Sequence, residues 1–393
     1  MKSLEQEKVS VSEKSNLQAP PEVVYIAPRN SIELQLAKIW EEILDIQPIS
    51  VTDNFFELGG DSLSALRLFA QIEQNFGKSL SLSTLLQAPT LEQLTEIVSQ
   101  EAESIAFSSL VPIQPSGSKP PLFCMHGNGA NVLAFQDLAS YLGSDQPFYG
   151  LQARGVDGVQ TPLNRMEDMA AAYLEETRAV QPTGPYYLCG FSSGGMLAFE
   201  MARQLHQQGE QVAFVGLLDT FVPGCFKQVS VPEWFSRQWR NFRRFGLKHP
   251  VKIAVRSLER KFYLLYWMSY LFLRGSLPYD LHRKYVGYSI RKAIRSYKFQ
   301  PYSGKLTLFR ATEVPGQGWY YYPSGMPTPD DWYTRDPQYG WGPLAEGGLD
   351  IHDLPGNHST ILKEPNVQVL SQKLQGCLAK AQQETQTSEL TQV

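Results

Sequence analysis

At 393 residues with 42% hydrophobic side chains, the chain is long enough for two or three domains with real apolar cores. A net charge of -4 gives no global reason to expect a nucleic-acid partner. Cys124, Cys189, Cys225 and Cys377 are far apart and show no CxxC or Cys/His spacing, which excludes a metal cluster as a reading and points to buried reduced thiols in a reducing cytoplasm.

Residues 1–28 are charged, polar and proline-containing and read as a disordered N-terminal arm, with no apolar core for a signal peptide. Residues 29–102 read as a small all-α, four-helix bundle. Asn30 and Glu33 make a capping pair ahead of Ile32, Leu36, Ile39 and Ile43 at helical spacing. A second helix is written by Ala65, Leu68, Phe69, Ile72 and Phe76 and stopped by Gly77, and a third begins at Thr90 with Gln93 in the capping-box position. A serine-rich stretch, 103–118, reads as a linker.

From 119 to 380 the rhythm becomes strand, glycine turn, helix. PLFCMHG (121–127), PYYLCG (185–190), QVAFVGLLD (211–219), GKLTLFRA (304–311) and LDIHDLPG (349–356) are strand-like, which implies a mostly parallel sheet with helices on both faces. The alternation stops over about 227–298, an aromatic and basic stretch that reads as a helical insertion. Its longest apolar run, FYLLYWMSYLFL at 262–273, is too short to span a bilayer. Residues 381–393 read as a polar, frayed tail.

Two serines stand out. Gly59 and Gly60 allow a tight loop, after which Asp61 and Ser62 fall in the first turn of the second helix, where unpaired amides and the positive helix end favour an anion. A serine presented there suits covalent attachment of a phosphate-bearing group, and the plainer reading is a helix cap. The second is Ser192 in GFSSGG (190–195), a GxSxG set between a strand and an apolar-faced helix, as in a nucleophile elbow. Such a serine needs a base, and the base an orienting acid. His358, in LPGNHST after the last strand, is the best base by chain order, and Asp219, at the end of an apolar strand, the best acid, with Asp353 as rival and a helix cap as the alternative role for Asp219. His126, in HGNGAN, opens a glycine loop of the kind that supplies oxyanion donors. His206, His249, His282 and His352 read as structural or surface residues.

DNFFELGGDSLSALRL, flanked by YIAPRNSIELQLAKIWEEIL and LSTLLQAPTLEQLTEIV, resembles the carrier domains of nonribosomal peptide synthetases. In that family the GGDS serine, here Ser62, carries 4'-phosphopantetheine. Residues 110–380 resemble the type I thioesterase domains that end nonribosomal peptide and polyketide assembly lines, on HGNGAN, GFSSGG, LLDT, YSGKLTLFRATE, GWGPLAEGG and LPGNHSTILKEPNV in the family's order. That resemblance implies an α/β-hydrolase fold with 227–298 as its lid. It makes Ser192 the acyl-accepting nucleophile, His358 the base, Asp219 its partner, and the backbone N–H groups of Ser193, Gly127 and Asn128 the oxyanion hole.

Together the two resemblances imply an acyl or peptidyl thioester held at Ser62 and released through Ser192 by hydrolysis or macrocyclisation. The alternative is an acyl-carrier scaffold that donates its thioester to a separate enzyme while the hydrolase edits misloaded carriers. With no HHxxxDG motif and no adenylation signature, activating or condensing enzymes and a phosphopantetheinyl transferase are expected to act in trans. The charge is unevenly spread: residues 29–103 hold twelve Asp/Glu against four Lys/Arg, about -8, and residues 227–298 hold seventeen Lys/Arg against three Asp/Glu, about +14. A basic lid of this kind could dock the acidic carrier, form a solvated face, or touch an anionic membrane.

Overall fold

The computed structural model describes residues 25–78, 80, 83–100, 108–156, 160–223, 236, 239, 243, 279–313 and 336–391. Most of the N-terminal arm and the greater part of the 227–298 insertion lie outside the described residues.

The first unit is built by helical periodicity. α1 (Ser31–Leu44) starts where Asn30 accepts hydrogen bonds from the amides of Ile32 and Glu33. Glu33 reaches back one residue further than a capping box requires, to the amide and guanidinium of Arg29, because this ion pair competes with the Asn30 amide for its carboxylate. α2 (Ser62–Phe76) ends at Gly77, whose φ of +68° is open to glycine at little cost. A short α3 (Thr84–Gln87), which its four residues leave without a readable period, precedes α4 (Leu91–Ser99). α4 opens on a complete Thr90–Gln93 capping box. Leu36, Trp40, Phe55, Leu68, Ile72 and Leu94 are all buried in one core, with the Trp40 and Phe55 rings edge to face at 5.1 Å.

The second unit is a seven-stranded sheet in the order β1-β3-β2-β4-β5-β6-β7. Its strands are β1 (Leu110–Gln114), β2 (Leu122–Met125), β3 (Phe148–Leu151), β4 (Tyr186–Phe191), β5 (Val212–Leu218), β6 (Leu306–Ala311) and β7 (Leu349–Leu354). Only the β1–β3 pair is antiparallel. The central strands read as continuous apolar runs because both faces are covered. Alternation then assigns each side chain to a face. Phe123, Met125, Tyr186, Leu188, Val215 and Leu217 join α6 (Met166–Val180), α7 (Ser193–Gln207) and α8 (Tyr279–Ser296) in one core. Leu122, Cys124, Tyr187, Cys189 and Phe214 join α5 (Gln136–Tyr141) and α9 (Asn366–Thr391) in the other.

Three features depart from the sequence reading. Residues 110–114 form an edge strand within the stretch read as a linker, and Pro112 is tolerated because an edge strand has one side with no ladder to donate to. The strand Phe148–Leu151 is too short, and interrupted by Gly150, to announce itself. The polar tail is helical to Thr391, because Ala381 and Thr385 are buried and the Tyr187 hydroxyl meets that of Thr385 across the sheet face. Of the insertion, α8 is anchored at its end by the Tyr297 hydroxyl, which donates to the buried carboxylate of Glu200 on α7. Among the described residues no helix is long and apolar enough to cross a membrane.

Candidate functional site

Ser192 occupies the single residue between β4 and α7, at φ 57° and ψ -119°. A non-glycine residue there costs of order 1–3 kcal/mol, so the surroundings must hold it. Its amide donates to Leu218 O at 2.9 Å, and its carbonyl accepts from the Gly195 amide at 3.2 Å. The glycine two places earlier is demanded by close packing: a Cβ on Gly190 would lie 2.1 Å from Gly194 O. The turn therefore lifts Ser192 out at the carboxyl edge of the sheet, where parallel strands deliver their loops.

His358, in the loop after β7, places Nε2 3.0 Å from Ser192 Oγ and Nδ1 2.7 Å from Asp219 Oδ2. Asp219 follows β5, is fully buried, and accepts a second bond from the Ala311 amide at 2.9 Å. A carboxylate only accepts, so Nδ1–H donates to Asp219 and the Nε2 lone pair faces the Ser192 hydroxyl. The rival acid is turned elsewhere: Asp353 accepts from the Arg310 guanidinium at 2.7 Å. Three supports escaped the sequence reading. The rings of Phe191 and Phe221 lie 4.8 and 5.6 Å from that of His358, and the Trp341 indole donates to Thr220 O at 2.7 Å, fixing the residue after Asp219. Phe191 directly precedes Ser192 and Phe221 stands two residues after Asp219, which was the available signal; Trp341 offered none.

Gly127 lies against this group. A Cβ there would come within 3.1 Å of the Phe191 ring and 3.5 Å of Ser192 Cβ, so a side chain at this position would be tight against the ring beside Ser192. Ala130 N donates to Gly127 O, closing the turn that carries Asn128. His126 is fully buried, with Nδ1 2.7 Å from Gly127 O and Nε2 2.7 Å from the Tyr173 hydroxyl. Burial holds its pKa down to about 4, so the ring is neutral, donating to Gly127 and accepting from Tyr173. It fixes the loop and is out of reach as a base. Ser193 supplies the first amide of α7, where helix N–H groups have no intrahelical acceptor.

The other histidines have separate partners: His206 meets Ser303 at 2.9 Å, and His352 stacks on Phe309. His249 and the side chain of His282 lie outside the described residues, as does Cys225. Cys124 and Cys189 are buried free thiols, and burial pushes Cys124 well above its ordinary range; Cys377 is half-buried.

On the other unit, Ser62 is the first residue of α2. The cap belongs to its neighbours. The Ser64 amide donates to Asp61 Oδ1 at 2.8 Å, the Asp61 amide donates to Ser64 Oγ at 2.6 Å, and Ala65 N donates to Asp61 O. Asp61 thus serves as the N-cap of α2. A serine at the positive end of a long helix fits covalent attachment of a phosphate-bearing arm.

Comparison with known proteins agrees with this division. Residues 35–98 match the family model of a phosphopantetheine attachment site, and residues 120–234 that of a thioesterase domain. The chain is 33% identical over 356 residues to malpinin synthetase of Mortierella alpina, covering 89% of this chain and 4% of that protein. It is 30% identical over 347 residues to a dimodular nonribosomal peptide synthase of Bacillus subtilis, covering 87% of this chain and 14% of that one. A crystal structure of a holo four-domain nonribosomal peptide synthetase bound to AMP and glycine aligns with a TM-score of 0.51 at 25% identity, over 93% of this chain and 27% of that one. The chain thus spans a small part of each of these relatives. With both family models matched in this order on the two folded units, the chain carries a phosphopantetheine attachment domain followed by a thioesterase domain, the arrangement over which it is similar to these nonribosomal peptide synthetases.

Proposed function

We propose that the chain carries an acyl or peptidyl group as a thioester on Ser62 and releases it through an ester on Ser192. Phosphopantetheine on Ser62 supplies the thiol that holds the acyl group and the reach that brings it to the hydrolase at high effective concentration. His358 takes the Ser192 proton at Nε2 while Ser192 Oγ attacks the thioester carbonyl; Asp219 keeps the imidazole oriented and stabilises the imidazolium that forms. The amides of Ser193, Gly127 and Asn128 receive the negative charge on the carbonyl oxygen. His358 then returns the proton to the departing thiolate. In the second half it removes a proton from water, giving a free acid, or from a hydroxyl or amine of the chain, giving a macrocycle.

One observation carries this reading: His358 lies within hydrogen-bond distance of both Ser192 and Asp219, in a chain that also presents a GGDS serine at a helix start. An idle hydrolase domain would have no need of these three side chains in contact, whereas one that edits misloaded carriers would use the same three. Loading requires a phosphopantetheinyl transferase and an activating or condensing activity, and the free buried thiols suit a reducing cytoplasm. Intact-protein mass spectrometry tests the proposal. The arm and then the acyl group should add to the wild type, and the acyl mass should decay. In Ser192→Ala the acyl mass should persist, and equal decay in both would overturn the assignment.

A further inference from the structure

We infer that the carrier is seated against the back of the oxyanion loop, and that this seat holds the loop in its working form. The inference rests on the release reaction proposed above and concerns its control. The loop from Gly127 to Val132 runs directly into a 3-10 turn, Leu133–Phe135. Leu133 is buried, and its side chain belongs to the carrier's hydrophobic core, among residues such as Leu36 and Leu85. In the opposite direction, Leu86 of α3 packs against the hydrolase core as well as its own. The two units interlock through one leucine each.

A polar contact lies beside this pair. Gln152, at the end of β3 and buried, donates to Ser83 Oγ at 3.1 Å and to Ser108 O at 3.0 Å. Ser83 stands at the N-cap of α3, yet its side chain makes no capping bond to that helix. It is buried at the seam with its hydroxyl turned to the hydrolase. The next residue, Ala153, donates its amide to Ala130 O at 2.8 Å, and Leu151 O accepts from the amide of His126. Thus three consecutive residues at the end of β3 hold the carrier through Ser83 on one side and, on the other, the oxyanion loop at Ala130 and the residue before it, His126. Leu133 N also donates to Asn131 Oδ1. Moving the carrier off this seat would expose Leu133 and loosen the segment that aims the Gly127 and Asn128 amides.

The test uses the full chain and the rate at which a fluorophosphonate labels Ser192, a reaction that needs the oxyanion donors but no carrier-bound substrate. Ser83→Lys places a charge in the buried seam without removing a helix cap. Labelling should slow about tenfold, with phosphopantetheine loading at the wild-type level as the sign that the carrier is folded, and Ser83→Thr should retain the wild-type rate. Gln152→Met removes the donor from the other side. It should give a similar loss, and the double variant should lose no more than either single one, as coupled residues do. If the lysine variant fails to load, Gln152→Met alone decides the matter by the same rate. A wild type that labels at a rate shared by Ser83→Lys and Gln152→Met overturns this inference alone, whereas a wild type that does not label at Ser192 overturns the proposed function.

Discussion

The ring of Phe191 lies 4.8 Å from that of His358 at an interplanar angle of 26°, so the residue before the proposed nucleophile stacks on its proposed base. Phe221 covers His358 at 5.6 Å, two residues after the acid. The imidazolium that forms when Ser192 gives up its proton meets the negative face of an aromatic ring, a contact worth about 0.5–2 kcal/mol. Phe191→Leu should therefore slow fluorophosphonate labelling of Ser192 by about threefold to thirtyfold, and Phe191→Tyr, which keeps the ring, should stay near the wild-type rate. Equal rates for Leu and Phe would show that the stacking is incidental.

Removal of one member of a hydrogen-bonded triad removes most of the rate. Ser192→Ala and His358→Ala should each reduce release of a loaded acyl group by about 10³-fold or more while leaving the carrier loadable. Asp219→Asn should also be severe, because an amide in place of the carboxylate favours the wrong imidazole tautomer. Asp353→Asn should release normally, since Asp353 faces Arg310. Single-turnover release measured by intact mass distinguishes these, and a normal rate for Asp219→Asn would reassign the acid.

Modification at the carrier is expected at one residue. Incubation with a broad-specificity phosphopantetheinyl transferase and coenzyme A should add one arm to the wild type and none to Ser62→Ala. An arm still added to the alanine variant would place the attachment elsewhere.

His126 makes stability depend on pH in a defined direction. Its folded pKa is about 4, against 6.5 for the free side chain, so between these values the unfolded chain binds a proton that the folded one refuses. Its contribution is complete above pH 6.5 and is lost as pH falls toward 4, amounting to about 2 kcal/mol by pH 5. Urea unfolding at pH 7 and pH 5 should show this loss in the wild type, and His126→Asn, though less stable at pH 7, should show a smaller difference. An unchanged pH difference in that variant would assign the acid sensitivity to other groups.

Local chemistry made part of this protein readable from its residues. Helices starting at Asn30 and Thr90, and strands such as that containing Val215 and Leu217, announce themselves because a cap and a short apolar run are each written within a few consecutive residues. GxSxG marked Ser192 for the same reason: the glycines answer to packing between elements adjacent in sequence. The edge strand around Pro112 and the short strand at Gly150 left no such mark, since each is a strand only because β3 lies between β1 and β2. The choice between Asp219 and Asp353 likewise belonged to the tertiary structure. Both end strands of one sheet, and it is the path of the loop after β7 that returns His358 to Asp219 across 139 residues while Arg310, on the neighbouring strand, takes Asp353. The seating of Leu133 among carrier residues was decided in the same way, because burial between two separately folded units depends on the surfaces they present to each other and has no period along either sequence.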